Sequence, residues 1–223
     1  MAAETIDQDL IPGEIGCRRL TADDYDLMMD LVLNHFFPRE PLCSTMERHF
    51  PGEISAFIKD GYVKNCIRDN ASLIAYDKRT GEDVGIILGS LYRVNKDKEQ
   101  KPLSELSPLV RMLDSLNEDI GSHVGDSLYL CVAASTVKQT YCQKGIMTKI
   151  RKRLELVAKE LKCGYITSES SSMYTQRITK NLGYTETNEI LFADYVDPVT
   201  GGYVVKDADP PHDRVKLMIK KIE

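Results

Sequence analysis

Residues 128–133 read Leu-Tyr-Leu-Cys-Val-Ala, and residues 142–147 read Cys-Gln-Lys-Gly-Ile-Met. The first run is apolar and predicts a buried strand, whereas the segment from Gly145 to Lys162 has an apolar face at helical spacing. The order is therefore strand, loop, helix. Because the first N–H groups of a helix lack intrahelical partners and carry partial positive charge, a glycine here lets an anion approach them. The segment indicates either a pyrophosphate site or a plain structural turn, and this motif alone leaves both open.

The rest of the chain predicts one α/β domain over residues 1–223. With 223 residues and 42% hydrophobic content, the chain is long enough to bury a sizeable core. Periodicity and turn residues predict strands over residues 72–77, 84–94, 128–133, 164–167, 189–196 and 214–220. They predict helices over residues 23–37, 108–119, 145–162 and 173–181, and another that begins after Gly52 and buries Ile54, Phe57 and Ile58. This order indicates a mixed sheet with helices on both faces.

Composition narrows the class of partner. The net charge of −5 and the pI near 5.5 argue against a nucleic-acid partner and suit a cationic substrate. The six cysteines include no C-x-x-C pair, which predicts reduced thiols and a cytoplasmic protein. The start of the chain lacks the order of a signal peptide, and no apolar run approaches the ~18 residues of a membrane span, so we expect a soluble protein with no membrane partner.

Histidine spacing argues against a metal site. The four histidines lack metal-ligand spacing, and no cysteine or carboxylate cluster completes a set of ligands, so we expect no metal. One of them, His212, ends the run Asp209-Pro210-Pro211-His212. That run predicts a surface turn, and a cover over a substrate site is the alternative.

The segment around Gly145 resembles the acyl-CoA loop of the GCN5-related N-acetyltransferases. Their pattern is Gln or Arg, two residues, Gly, one residue, then Gly or Ala; Cys142 and Met147 depart from it here. The resemblance implies acetyl-CoA as co-substrate, with its pyrophosphate on backbone N–H groups of Gln143, Lys144, Gly145, Ile146, Met147 and Thr148. Basic residues follow the loop, and they form either a solvated helix face or a contact with CoA phosphates.

The order of elements along the whole chain also resembles this family. The resemblance implies a mixed, mostly antiparallel sheet in which two central parallel strands, 128–133 and 164–167, splay apart around the acyl-CoA arm. Backbone groups of Cys131 and Val132 would pair with the pantetheine, and an N–H there would polarise the thioester carbonyl. Many members protonate the leaving thiolate with a tyrosine, where this chain has Thr179.

The stretch Phe36-Phe37-Pro38-Arg39-Glu40-Pro41-Leu42 resembles the insect arylalkylamine N-acetyltransferases, including those that act on dopamine. In that branch the matching glutamate is the general base, which implies this role for Glu40. The chemistry needs a base, because an alkylammonium with a pKa of ~10 has almost no free lone pair at neutral pH. Without the resemblance, Glu40 would be interpreted as a solvated surface charge.

The same branch has a Ser-Ser-x-Tyr-Ser element, which Ser171-Ser172-Met173-Tyr174-Thr175 resembles. The resemblance implies that Ser171 and Thr175 act as acid or orient the substrate, whereas a helix cap is the alternative for Ser171 or Ser172. Phe36, Phe37 and Met173 flank these groups and are expected to form an apolar wall for the acceptor.

The implied function is direct transfer of acetyl from acetyl-CoA to a small primary amine in a ternary complex, by a monomer. An arylalkylamine such as dopamine, octopamine, tyramine or serotonin is the expected acceptor, with aliphatic polyamines or histamine as alternatives. Two further alternatives are a protein N-terminal or lysine acetyltransferase, and a non-catalytic relative that binds CoA or an amine, since Cys142, Met147 and Thr175 depart from the motifs.

Overall fold

A computed structural model describes residues 5–52, 54–55, 62–94 and 102–223. Seven strands form one sheet in the order β1-β2-β3-β4-β5-β7-β6. The strands are β1 Ile15–Arg19, β2 Leu73–Asp77, β3 Asp83–Tyr92, β4 Tyr129–Val137, β5 Tyr165–Ser170, β6 Thr185–Leu191 and β7 Arg214–Lys221. The pair β4 and β5 is parallel, and the other five pairs are antiparallel. The mixed, mostly antiparallel sheet is therefore confirmed.

Helices cover both faces of this sheet, as predicted. They are α1 Tyr25–Asp30, α2 Pro41–His49, α3 Tyr62–Arg68, α4 Pro108–Leu116, α5 Ile120–Val124, α6 Ile146–Glu160 and α7 Met173–Asn181. Helix α1 continues as a π-helical turn, Leu31–Phe36, and a 3₁₀ turn, Phe37–Arg39. One core contains buried side chains of α1, α2 and α4, and the other contains the apolar face of α6. Among the described residues, no helix is long and apolar enough to span a membrane.

The two parallel strands separate part-way along their length. Pairing of β4 with β5 runs from Tyr129 opposite Tyr165 to Val132 opposite Ser168. Beyond that point β4 continues to Val137 beside β3, and β5 turns away toward α7. The buried guanidinium of Arg151 lies across the opening, where it donates to Ser135 of β4 at 2.8 Å and to Ser168 of β5 at 3.3 Å. The predicted splayed pair is thus confirmed.

Several predicted boundaries were wrong. The strand predicted over residues 189–196 is β6, Thr185–Leu191, which lies at the sheet edge with polar, exposed side chains and so lacks apolar alternation. The strand predicted over 128–133 extends to Val137. Strand β1 and helices α2, α3 and α5 were not predicted. For the helix predicted after Gly52, Phe57 and Ile58 lie outside the described residues.

Candidate active site

A cleft of about 1550 Å³ opens where β4 and β5 separate. Its walls come from the 3₁₀ turn before α2, from α4, from both parallel strands, from the loop before α6 and from the start of α7. The cleft therefore joins the predicted donor loop to the predicted base and hydroxyl residues, which are distant in sequence.

The loop before α6 forms one end of the cleft. Gly145 is the N-cap of α6 and has φ +74°, a left-handed conformation that favours glycine. A Cβ added there would come no closer than 4.0 Å to any other residue, at Lys149 Cε, so this backbone is open. Gln143, Ile146, Met147 and Thr148 also line the cleft. The helix N-terminus is therefore accessible to an anion.

Two side chains of this loop differ from the expectation. Lys144 is exposed, with Nζ 5.0 Å from the centre of the Tyr141 ring, and it is not among the described residues that line the cleft. Cys142, which occupies the position of the usual Gln or Arg, accepts a hydrogen bond from Arg39 Nη2 at 3.6 Å. Arg39 Nη1 also donates to the Val137 carbonyl at 2.9 Å. A guanidinium from the segment of the predicted base thus lies beside the predicted phosphate loop.

Glu40 lies on the wall of the cleft, directly before α2. Its backbone is extended between the 3₁₀ turn and α2, and Oε2 caps α2 by accepting from Cys43 N–H at 2.5 Å. The other oxygen, Oε1, accepts a hydrogen bond from the Ser171 hydroxyl. The carboxylate is half-buried and lines the cleft, so it is not a freely solvated surface charge.

The two serines after β5 make different contacts. Ser171 is buried and donates to Glu40, whereas Ser172 is the N-cap of α7 and accepts from Tyr174 N–H at 3.3 Å. Thr175 lies on the first turn of α7 and lines the cleft. The fully buried Thr179 donates to the carbonyls of Thr175 and Gln176, both at 3.0 Å, so its hydroxyl proton is engaged within the helix.

His212 joins this group from the loop before β7. Its Nδ1 accepts from Met173 N–H at 3.2 Å, and its ring contacts that of Tyr174 edge to face, with centroids 5.6 Å apart. The imidazole lines the cleft, so residue 212 contributes to the site and is more than a surface turn.

Aromatic rings line two parts of the cleft. Phe36 and Phe37, with ring centroids 5.3 Å apart, lie on the turns that contact the C-terminal end of β4 and are expected to form an apolar wall. Met173, expected in the same wall, has a side chain that is 37% exposed and is not among the described residues that line the cleft. Tyr92 and Tyr129 lie at the other end of β4, which we call the far side. Tyr92 and Tyr129 stack with centroids 5.9 Å apart, and burial raises the pKa of the Tyr129 phenol.

Glu169 projects from β5 into this aromatic side. Its Oε1 accepts from Asn117 Nδ2 at 2.5 Å. Burial raises the pKa of the Glu169 carboxyl to about 7, although the hydrogen bond from Asn117 opposes the shift. Asp114, on α4, lies at the rim of the same side, and burial raises the pKa of its carboxyl also. The far side is thus acidic as well as aromatic.

No protein-family model matches the sequence, and no curated protein matches it. Solved structures do match. Arylalkylamine N-acetyltransferase 2 from Aedes aegypti has a TM-score of 0.82 and 22% identity, over 94% of this chain and 99% of that chain. The Drosophila melanogaster polyamine N-acetyltransferase that forms N-acetylagmatine has a TM-score of 0.79 and 18% identity, over 93% and 100%. The C-terminal condensation domain of Ebony has a TM-score of 0.75 and 16% identity, over 94% and 99%.

This chain has the GCN5-related N-acetyltransferase fold. Five residues near the cleft were given no role from the sequence: Arg39, Tyr92, Asn117, Tyr129 and Glu169. For His212, which lines the cleft, the sequence left a cover over a substrate site as the alternative to a surface turn. The strand predicted over residues 164–167 is β5, Tyr165–Ser170, so Glu169 lay beyond the predicted end and its charge within a strand could not be recognised from the sequence.

Proposed function

We propose that this chain is an acetyl-CoA-dependent N-acetyltransferase that acts on a small primary amine by direct transfer within a ternary complex. One observation carries the proposal: the Ser171 hydroxyl donates to the Glu40 carboxylate on the wall of the cleft where the parallel strands separate. A carboxylate held in this way can accept a proton from an ammonium that enters opposite the donor loop. The likeness of fold to the amine N-acetyltransferases is consistent with this chemistry, but the assignment rests on the site and not on the fold.

The donor end fits acetyl-CoA. The open backbone at Gly145 and the accessible N-terminus of α6 suit a pyrophosphate, and the guanidinium of Arg39 adds positive charge beside Cys142, where the family pattern has Gln or Arg. In our proposal the pantetheine arm lies in the opening between β4 and β5, against the backbone of Cys131 and Val132. Both residues line the cleft.

At the acceptor end, Glu40 removes a proton from the ammonium, and the amine then attacks the thioester carbonyl. The tetrahedral intermediate collapses as the C–S bond breaks. Its nitrogen loses a second proton, which passes to the leaving thiolate to give CoA thiol, and Glu40 later releases the first proton to solvent. Thr179 is a poor candidate for the acid because its hydroxyl donates within α7. The Ser171 and Thr175 hydroxyls are the side chains that we assign to the thiolate or the intermediate, and both line the cleft. The Ser171 hydroxyl becomes available once Glu40 has taken the ammonium proton, because protonated Glu40 can then donate to the Ser171 oxygen.

The general test is a mass-spectrometric screen of primary amines with acetyl-CoA, which measures acetylated amine and released CoA together. We expect equal amounts of both products for at least one small amine. Release of CoA without an acetylated amine indicates hydrolysis, and neither product with any amine supports a non-catalytic binding protein.

Two acceptor classes are supported by the lining of the cleft. The rings of Phe36, Phe37, Tyr92 and Tyr129 suit an arylalkylamine, the class that the sequence predicts. The acidic side chains at the far side, Glu169 above all, suit an aliphatic amine with a second cationic group. Specificity constants for phenethylamine-type amines against putrescine, spermidine and agmatine distinguish the two. A clear preference for the aliphatic amines would overturn the arylalkylamine assignment and leave the acetyltransferase proposal in place.

Ser171→Ala is expected to lower turnover about 10-fold to 100-fold, because a hydrogen bond to a charged group contributes roughly 1.5–3 kcal/mol. The matched control is Ser172→Ala, at the next residue of the chain. It removes the N-cap of α7 and should cost about 1 kcal/mol of stability without a comparable loss of turnover. Steady-state kinetics and thermal unfolding of both variants make the comparison. Equal turnover in the two variants would assign Ser171 to structure.

Thr175→Val tests the second hydroxyl. The valine keeps the shape and removes the hydroxyl, so turnover should fall while the unfolding temperature stays near that of the parent. If only the unfolding temperature falls and turnover at low temperature is unchanged, Thr175 does not act on the thiolate or the intermediate.

A further inference from the structure

The Glu169 carboxylate has one oxygen with a hydrogen-bond partner and one without a partner among the described residues. Oε1 is occupied by Asn117, whereas no described residue donates a hydrogen bond to Oε2. Nor does any described lysine or arginine form an ion pair with this carboxylate. Because the group lines the cleft, its second oxygen is available to a molecule bound there. A carboxylate withdrawn from water without a cation is costly, and the cost is recovered when a cation binds beside it.

The position of Glu169 relative to Glu40 indicates where on a bound acceptor a second charged group would lie. Glu169 is in β5 and Ser171 directly follows the last residue of that strand, Ser170, and both residues line the cleft. At the spacing of a strand, two residues that are two positions apart have Cα atoms about 7 Å apart. Ser171 holds Glu40, where the reacting amine would lose its proton. The free oxygen of Glu169 is therefore displaced along the cleft from the reacting centre, toward the stacked rings of Tyr92 and Tyr129.

We infer that Glu169 binds a second cationic group, an ammonium or a guanidinium, at the far end of the acceptor amine and so determines acceptor specificity. Asn117 holds the carboxylate by its other oxygen, and the carboxylate of Asp114 at the rim adds negative potential. The faces of Tyr92 and Tyr129 add an environment that attracts cations. The inference rests on the proposed function, because it places the reacting amine at Glu40.

Two amines of the same length isolate the second charge. Putrescine and n-pentylamine differ in that a methyl group of pentylamine replaces the second ammonium of putrescine. We expect the parent protein to have the higher kcat/KM for putrescine. In Glu169→Gln the ratio of the two specificity constants should fall about 10-fold to 100-fold, since the amide keeps the shape but loses the charge. In this variant kcat/KM for phenethylamine, which has no second cation, should fall less than kcat/KM for putrescine.

The control variant is Glu118→Gln, which removes an equal charge from an exposed residue that follows Asn117 and is not among the described residues lining the cleft. It should leave the ratio unchanged. Thermal unfolding confirms that both variants are folded, and Glu169→Asp, which keeps the charge, should retain part of the preference.

An unchanged ratio in Glu169→Gln would overturn the inference, and so would an equal loss for all three amines. If the parent acetylates no amine, the proposed function fails separately. The inference is then decided by calorimetric titration of putrescine and pentylamine into protein saturated with CoA, where Glu169→Gln should abolish any preference for putrescine. Absence of a preference in the parent would overturn it.

Discussion

Glu40→Gln is expected to lower kcat/KM for the best amine by about 10²-fold to 10⁴-fold, the usual cost of removing a general base. The amide cannot accept the ammonium proton, although it can still accept the hydrogen bond from Ser171. Binding of acetyl-CoA should stay within about threefold of the parent, because the donor loop before α6 is untouched. Steady-state kinetics and calorimetric titration with acetyl-CoA check the two halves of this expectation.

The double role of Glu40 requires a control for stability. Its carboxylate also caps α2 through Cys43 N–H, and loss of a cap costs about 1 kcal/mol. Glu40→Asp keeps a carboxylate but shortens its reach, so it should be impaired in both roles without losing the proton acceptor. Kinetics at a temperature well below unfolding separate the effects. If turnover of Glu40→Gln stays within about threefold of the parent across roughly pH 6 to 9, another group is the base.

Elements with strong local signals were predicted well from the sequence. Helix α4 begins with a Ser107 cap followed by Pro108, and α7 ends at Leu182-Gly183, so both have local start or stop signals. Helix α6 shows an apolar face over its full length, from Ile146 to Val157. By contrast, β6 is a polar edge strand held by its pairing with β7, and tertiary pairing of this kind leaves no apolar period to detect.

In the site, too, residues in local motifs were predicted and contacts that depend on tertiary structure were not. Glu40 and Ser171 were predicted separately, each through a motif, but their contact joins residues 131 positions apart and depends on how the fold brings α2 to the end of β5. Arg39 beside Cys142 is a contact of the same kind, across 103 positions. Glu169 and His212 had no motif, and their roles depend on which face of a strand or loop the tertiary structure turns toward the cleft. Sequence patterns therefore identified the proposed catalytic residues more readily than the residues that form the walls of the cleft.

Gly145→Val is expected to weaken acetyl-CoA binding on the order of 10²-fold to 10³-fold. The valine side chain would project into the open space at the start of α6, where the pyrophosphate is proposed to bind, and several charge-assisted hydrogen bonds of roughly 1.5–3 kcal/mol each would be lost or lengthened. The substitution also strains the backbone, since φ is +74° and a left-handed conformation costs about 1–2 kcal/mol outside glycine. Loss of stability and loss of binding must therefore be separated.

Gly13→Val provides that separation. Gly13 has φ +72°, has no atom within 4 Å of an added Cβ, and lies in the loop before β1 at the opposite edge of the sheet from β6. The two variants should lose similar stability, and only Gly145→Val should lose affinity. A donor without the pyrophosphate sharpens the test, because acetyl-pantetheine should bind Gly145→Val and the parent nearly alike. Equal acetyl-CoA affinity in Gly145→Val and Gly13→Val would exclude the start of α6 as the pyrophosphate site, since the strain is matched and the one remaining difference is a side chain in the proposed path of the phosphates.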